Sequence, residues 1–264
     1  MKIALIQIPS VIGDVKANIA KIEKCMGETD AELLIFPEMF LTGYNIGDML
    51  FTLALDVEGD EMEKLSSLCR SNKRSIIFGM PRKDDVIRGE VLNSSVAIGA
   101  DGEVTFYDKW HLPNFGPFDE RRYFRQGHHL AVFEINGIKL GLIICYDIFF
   151  PELTKQYALM GCDGVVCISA APSITLRFFE AIVPARAIEN TIFMIYSNVI
   201  GNEKNLIFKG GAQVWGPRGD RKVRAEDFKE CIIELDLDMA EVETARRLRP
   251  VLKDTRIEGL FSND

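Results

Sequence analysis

Apolar residues recur along this chain with two alternating periods. The opening run Lys2–Ile8 is almost continuously apolar and has strand length. Val15, Ile19, Ile22 and Met26 then follow at spacings of three and four, which predicts an amphipathic helix, with Asp14 as its N-cap. Glu32–Phe36 reads as the next strand, stopped by Pro37. Strand, helix, strand in that order implies a parallel pair joined by a crossover helix. A second helix over about Asp60–Ser71 leads into strand Ser75–Met80. The pattern then changes. Val91–Gly99 and Val104–Asp108 flank Asp101-Gly102, and Leu130–Ile135 and Ile138–Ile144 flank Asn136-Gly137. Both read as hairpins, since these dipeptides suit tight turns. Parallel and antiparallel pairing together predict mixed sheets covered by helices.

The last third resumes the alternation. Pro151 suits the first turn of a helix reaching about Met160. Val165–Ser169 is a strand, Leu176–Glu189 a helix and Thr191–Asn198 a buried strand. Strands near Gly211–Trp215 and Cys231–Leu235 precede a polar helix from about Asp238. The basic run Arg218–Arg224 is broken by Gly219 and Asp220 and reads as a solvated turn. The tail from about 250 to 264 has little core character, and is expected to pack on a partner subunit or to stay mobile. With no repeat, low-complexity segment or Gly/Ser linker, residues 1–264 are expected to form one α/β domain.

Composition narrows the function classes. A net charge of −8 is a poor match to nucleic acid, whose phosphates call for clustered Lys and Arg. The apolar runs are too short to span a membrane, and the N-terminus is too short and alternating for a signal peptide. Six cysteines without a secretory signal are expected to be free thiols in a reducing cytosol, so a cytoplasmic location is expected.

Three residues draw attention as chemistry. Cys145 ends the buried run GLIIC, where a strand meets a loop; most free cysteines in such places are inert core. Glu38 follows a strand and a proline among Phe36, Met39 and Phe40, where desolvation would make it a proton acceptor, though a loop glutamate can equally face water. Lys109 closes a strand at the start of a polar, aromatic-rich loop, and its charge could favour a thiolate or an oxyanion. Glu120 in the same loop could hold Lys109 or a bound amide. Of the histidines, His111 reads as loop-shaping. His128 and His129 would face opposite sides of a strand, poor geometry for a shared metal. Cys162 and Cys167 read as core residues, and Arg186, Glu189 and Asn198 as a buried pair and a satisfied polar group supporting the site. The Arg-Gly-Asp at 218–220 reads as an ordinary turn.

FPEMFLTGY, YDKWHLPNFGPFDERRYF and GLIICYDIFFPE, taken in this order, resemble the three signature blocks of the nitrilase, or carbon–nitrogen hydrolase, superfamily. The resemblance continues through KIALIQ, ISAAP, ARAIEN and GGAQVWGPRGD, nearly the whole chain. It implies a four-layer αββα sandwich of two mixed sheets. It implies Cys145 as nucleophile, Glu38 as general base, Lys109 as stabilising cation and Glu120 as the second glutamate that orients substrate and lysine. It further implies a homodimer or higher even homo-oligomer and no metal or organic cofactor. The oxyanion of an amide substrate would then sit between Lys109 and a backbone N–H, expected to be that of Tyr146. Tyr44, Phe149, Ala170 and Ala171 are the expected substrate contacts.

Substrate is less legible. Tyr146-Asp147 after the cysteine is similar to the amidase branches, which points to a small aliphatic amide as substrate. TGYNIGDMLF and HLPNFGPFDERRYF are similar to the glutaminase domain of glutamine-dependent NAD synthetases, but no synthetase domain is expected beside it, and Cys-Tyr-Asp stands where those domains tend to have Cys-Glu-Asp. An ammonia-supplying glutaminase subunit, an N-carbamoyl amine amidohydrolase and an inactive binding scaffold stay open as alternatives.

Overall fold

Strand β1 (Lys2–Gln7) shows how the layers are ordered. Its side chains alternate, so Ala4 and Ile6 share one face and Ile3 and Leu5 the other, yet all four are buried. Ala4 and Ile6 pack with Ile19, Ile22, Cys25 and Met26 of helix α1 (Val15–Glu28). Ile3 and Leu5 belong instead to a core shared with the second sheet. The strand therefore has a helix on one side and a sheet on the other. This computed structural model describes residues 1–256.

The first sheet is completed by β2 (Leu33–Ile35), β3 (Ser75–Lys83), β4 (Val91–Ile98), β5 (Val104–Asp108) and β14 (Cys231–Asp236), in the order β14-β1-β2-β3-β4-β5. The β1, β2 and β3 pairings are parallel, and the outer pairs antiparallel. Its helical cover also includes α3 (Asp60–Asn72), through Met62, Leu65 and Cys69. The short α2 (Leu50–Leu53) lies before it.

The second sheet repeats this plan with β6 (Val132–Ile135), β7 (Ile138–Ile144), β8 (Gly164–Ser169), β9 (Phe193–Asn198), β12 (Gln213–Trp215) and β13 (Arg221–Arg224), ordered β13-β12-β9-β8-β7-β6. Helices α4 (Pro151–Leu159) and α5 (Leu176–Asn190) supply Leu153, Tyr157, Val183 and Ala187 to its core. The result is the four-layer αββα sandwich of two mixed sheets. Asp14 caps α1, accepting from the Ala17 amide at 2.9 Å. Asn136 and Gly137 both take positive φ, as a two-residue hairpin of that sequence requires.

Several local expectations change. Helix α5 runs on to Asn190, and Thr191 takes a left-handed conformation as its cap, so the strand begins at Phe193 and not at Thr191. Arg221–Arg224 is a paired strand, because β12 supplies an antiparallel edge; the turn is confined to 216–220, closed by the Gly216 amide on the Asp220 carbonyl. His128 and His129 precede β6 in a loop, and their rings lie 4.1 Å apart rather than on opposite faces of a strand. Residues 200–209, which the sequence pattern leaves unassigned, form a hairpin, β10 (Ile200–Glu203) and β11 (Leu206–Lys209), with Ile200, Leu206 and Phe208 buried. Helix α6 (Met239–Leu248) starts at the Asp238 cap as expected. In the tail, Val251–Asp254 forms the short α7, with Leu252 packed on the chain's own core; positions 257–264 lie outside the described residues. Among the described residues, no helix is long and apolar enough to cross a membrane.

Candidate active site

Glu38 sits just past β2, where the chain must cross over β3. A Cβ on Gly79 would lie 2.2 Å from the Met39 nitrogen and 2.6 Å from the Glu38 Cα, so only glycine in β3 leaves room for this backbone. The Glu38 carboxylate is 1% exposed. Oε1 accepts from Asn93 Nδ2 at 2.7 Å and from Lys109 Nζ at 2.9 Å; Oε2 accepts from the Ala170 amide at 2.7 Å. Asn93 belongs to the first sheet and Ala170 follows β8 of the second. The carboxylate is thus pinned from both sheets.

Lys109 follows β5 and is wholly buried. Its amide donates to the Asn93 carbonyl, and its carbonyl accepts from Gly127. Its ammonium bridges Glu38 and, at 2.7 Å, Glu120 Oε1. Glu120 opens a 3-10 turn (Glu120–Arg122) and accepts a second bond on Oε1 from the Tyr44 hydroxyl at 2.6 Å. Its Oε2 is buried and has no hydrogen-bond partner among the described residues. Tyr44 is held in turn by the unexpected hairpin, since Glu203 Oε2 accepts from the Tyr44 and Asn45 amides at 2.8 and 2.6 Å.

Cys145 follows β7 in a left-handed conformation, φ 47°, which turns the chain sharply into the 3-10 segment Cys145–Phe149. A non-glycine residue held there stores strain of about 1–3 kcal/mol and needs support. Asp147 supplies much of it. Its Oδ2 accepts from the Ile144 amide and the Tyr107 hydroxyl, and its Oδ1 from the His111 amide and Nδ1–H. The His111 ring stacks on Phe150 at 3.4 Å. Arg186 on α5 donates to the carbonyls of Ile148 and Phe149 at 2.8 and 3.2 Å. His111 therefore shapes the loop, as expected, and Arg186 braces the turn. Its Glu189 partner, however, is 40% exposed, so that ion pair is only half buried. Asn198 is satisfied, accepting from the Ala171 amide and donating to the carbonyls of Ala171 and Gly210. Cys162 and Cys167 are buried core.

The electrostatics follow from this burial. Burial pushes the Cys145 thiol well above its ordinary range, and the Glu38 charge adds to this while Lys109 opposes it. The thiol is therefore protonated at rest. Burial would lower the Lys109 ammonium, but the Glu120 and Glu38 carboxylates reverse this and hold it above the usual lysine range. Burial pushes Glu120 up to about 7; Lys109 opposes the rise and the Glu38 charge reinforces it. Burial, then the Glu120 and Glu38 charges, keep the Tyr44 phenol protonated as a donor.

A stability prediction follows for Glu120. A carboxyl raised from 4.5 to about 7 by folding contributes stability that is complete below pH 4.5 and lost as pH climbs through 7. The melting temperature of the wild type is therefore expected to fall between pH 4.5 and 7 relative to that of Glu120→Gln. Two melting curves that stay parallel across this window would refute it.

Cys145 opens onto a cavity of about 210 Å³, walled by Phe118, Phe149, Phe178, Phe179, Ala171 and Thr175 among others. Larger grooves of about 530 and 780 Å³ lie elsewhere and include none of Glu38, Lys109, Glu120 or Cys145. The structure thus joins Glu38, Lys109 and Glu120 in one hydrogen-bonded cluster, and places Cys145 on a cavity wall with Ala171, next to the Ala170 amide that holds Glu38. Of the four expected substrate contacts, Phe149 and Ala171 line the cavity; Ala170 and Tyr44 are engaged by the carboxylates instead. Tyr146 follows the cysteine and also lines the cavity. Sequence reasoning missed Asn93, Thr175 and Phe178. The one available signal was an asparagine inside the strand run VLNSSVAI. No group of three or more His, Cys, Asp or Glu side chains among the described residues is arranged to hold a metal.

Residues 2–247 match the carbon-nitrogen hydrolase family. The chain is 32% identical over 264 residues to an (R)-stereoselective amidase of Pseudomonas sp., covering 97% of this chain and 92% of that one. It is 32% identical over 255 residues to the glutamine-dependent NAD(+) synthetase of Aquifex aeolicus (strain VF5), covering 94% of this chain but only 44% of that protein. Among solved structures, an amidase mutant from Nesterenkonia sp. AN1, with the acetamide moiety of fluoroacetamide covalently added at its active-site cysteine, matches with a TM-score of 0.82. That match is 26% identical and covers 97% of this chain and 94% of that one.

Proposed function

This chain belongs to the carbon-nitrogen hydrolase family, and from that premise we propose that it hydrolyses a small, uncharged aliphatic amide to carboxylic acid and ammonia through a thioester on Cys145. The Glu38 carboxylate takes the thiol proton as sulfur attacks the carbonyl carbon. A base is required because burial keeps the thiol protonated. The tetrahedral oxyanion lies between the Lys109 ammonium and the Tyr146 amide N–H. The unpartnered Glu120 Oε2 accepts from the substrate's NH₂ group. As the C–N bond breaks, Glu38 passes its proton to the nitrogen and ammonia leaves. Glu38 then deprotonates a water, which adds to the thioester; collapse of that adduct releases the acid and returns the proton to sulfur.

One observation carries this reading: a strained cysteine lines an apolar cavity together with Ala171, whose neighbour Ala170 donates its amide to Glu38 of a buried Glu–Lys–Glu cluster. Supply of ammonia from glutamine is a second reading, favoured by the likeness to the NAD(+) synthetase. We propose likewise that the chain acts as one domain, in a homodimer or higher even homo-oligomer, and in the cytoplasm, where its free cysteines stay reduced.

An ammonia-release screen across short amides, glutamine, N-carbamoyl amines and nitriles tests the function. Saturable turnover of short amides is expected. Turnover of nitriles alone would overturn the amidase reading, turnover of glutamine alone would establish the second reading, and turnover of N-carbamoyl amines alone would move the enzyme to that class. Release from nothing in the panel would favour a scaffold.

A further inference from the structure

The cavity beside Cys145 has a chemistry that the bond-breaking groups do not require. Its walls are aromatic and interlocked: Tyr146 packs 5.3 Å from Phe115 and 5.5 Å from Phe149, and Phe149 meets Phe179 edge-on at 5.3 Å. Among the described residues, no charged side chain lines it. The Thr175 hydroxyl is already engaged, donating to the Pro172 carbonyl at 2.9 Å. Arg177 does not line the cavity; its guanidinium lies 4.7 Å from the Phe178 ring.

Volume and polarity both select. An apolar cavity of about 150 Å³ accepts benzene, so about 210 Å³ has room for a phenyl or branched aliphatic group with a short spacer. The methyl of acetamide would leave most of this space without contacts. The α-ammonium and α-carboxylate of glutamine would enter with no counter-charge, and burying unpaired charge is strongly unfavourable. On the nitrogen side, Tyr44, Glu120, Lys109 and Glu38 form a tightly bonded, buried cluster with one open acceptor, Glu120 Oε2. The separate cavity that reaches Tyr44 and Glu120 is about 100 Å³, half the size, so bulk fits better on the acyl side than on the nitrogen.

Resting on the amidase reading above, we propose that this aromatic cavity is the acyl-group pocket, and that it selects primary amides with an uncharged branched or aryl acyl chain over acetamide and over glutamine, with Thr175 and Phe178 setting its size. At roughly fourfold per buried methylene, an acyl group three or four carbons larger than acetyl gains on the order of 100-fold in kcat/KM.

The experiment is a kcat/KM series on the full chain with acetamide, isobutyramide, isovaleramide, phenylacetamide, N-methylisovaleramide and glutamine, read by amine or ammonia release. Isovaleramide is expected to exceed acetamide by on the order of 100-fold and phenylacetamide by at least as much, with N-methylisovaleramide and glutamine far behind. Thr175→Trp, which fills the cavity, is expected to cut the isovaleramide-to-acetamide ratio at least about tenfold. Phe178→Ala, at the 44% exposed rim, should move the optimum to longer chains. Each ratio is internal to one protein sample, so partial misfolding does not change it. Acetamide equal to or better than isovaleramide, or preferred turnover of glutamine, would overturn the pocket assignment while leaving amide hydrolysis standing. No amide turned over at all would overturn the parent reading instead.

Discussion

Cys145→Ala is expected to lower amide turnover by at least about 10⁴-fold while leaving the fold intact. The substitution removes only the sulfur. The left-handed backbone at 145 is held by bonds to Asp147 and Arg186 that do not involve that atom, so it stays in place. A stability change of about 1 kcal/mol is the expected scale. Serine should not rescue activity. The buried environment already disfavours the thiolate, and a hydroxyl gives up its proton far less readily than a thiol, so serine is a much weaker nucleophile at this position. Ammonia release measures the loss, and the mass of the protein after treatment with a haloacetamide shows whether a single adduct forms on the wild type and is absent from the variant. Residual turnover within about tenfold of wild type would remove Cys145 from the chemistry altogether.

Lys109→Met is expected to cost both activity and stability. The ammonium bridges two carboxylate oxygens at 2.9 and 2.7 Å in a site closed to solvent. Removing one partner of such a cluster leaves buried charge uncompensated, a loss of about 3–5 kcal/mol. Losing the oxyanion's cation should lower kcat by about 10²–10³-fold. The pH dependence has a definite sign. Without the cation that opposes its rise, Glu120 is driven further toward binding a proton in the folded state, so its folded pKa moves further above its unfolded value. The stability of the variant is then greatest at acid pH and falls as pH rises. The melting-temperature gap to wild type should be wider at pH 8 than at pH 5. A gap that narrows toward pH 8 would mean that the carboxylates are not relying on Lys109 for their charge balance.

Much of this site was legible before any coordinates. Glu38, Lys109, Glu120 and Cys145 lie in long motif blocks whose order and residue types are a local property of the chain. The same holds for most elements. Period-two and period-3.6 patterns report which face of a segment is buried, and Asn136-Gly137 reports a turn, because each depends only on near neighbours. The errors fell where neighbours in space decide. The basic residues of 221–224 became a strand because β12 offered an edge to pair with. Residues 200–209, left unassigned by the sequence pattern, form a hairpin whose Glu203 fastens Tyr44, more than 150 positions earlier.

The sequence by itself determined the alternation of elements, the left-to-right order of the chemical groups and the family to which they belong, since these reside in local pattern. Only the tertiary structure decided that Asn93 and the Ala170 amide hold the two oxygens of Glu38, that one oxygen of Glu120 is left open, and that Thr175 and Phe178 from the start of α5 help to wall the space in front of Cys145. The physical reason is that hydrogen bonds and cavities are made between segments brought from two different sheets. No periodicity within either segment records which partner the other sheet will place against it.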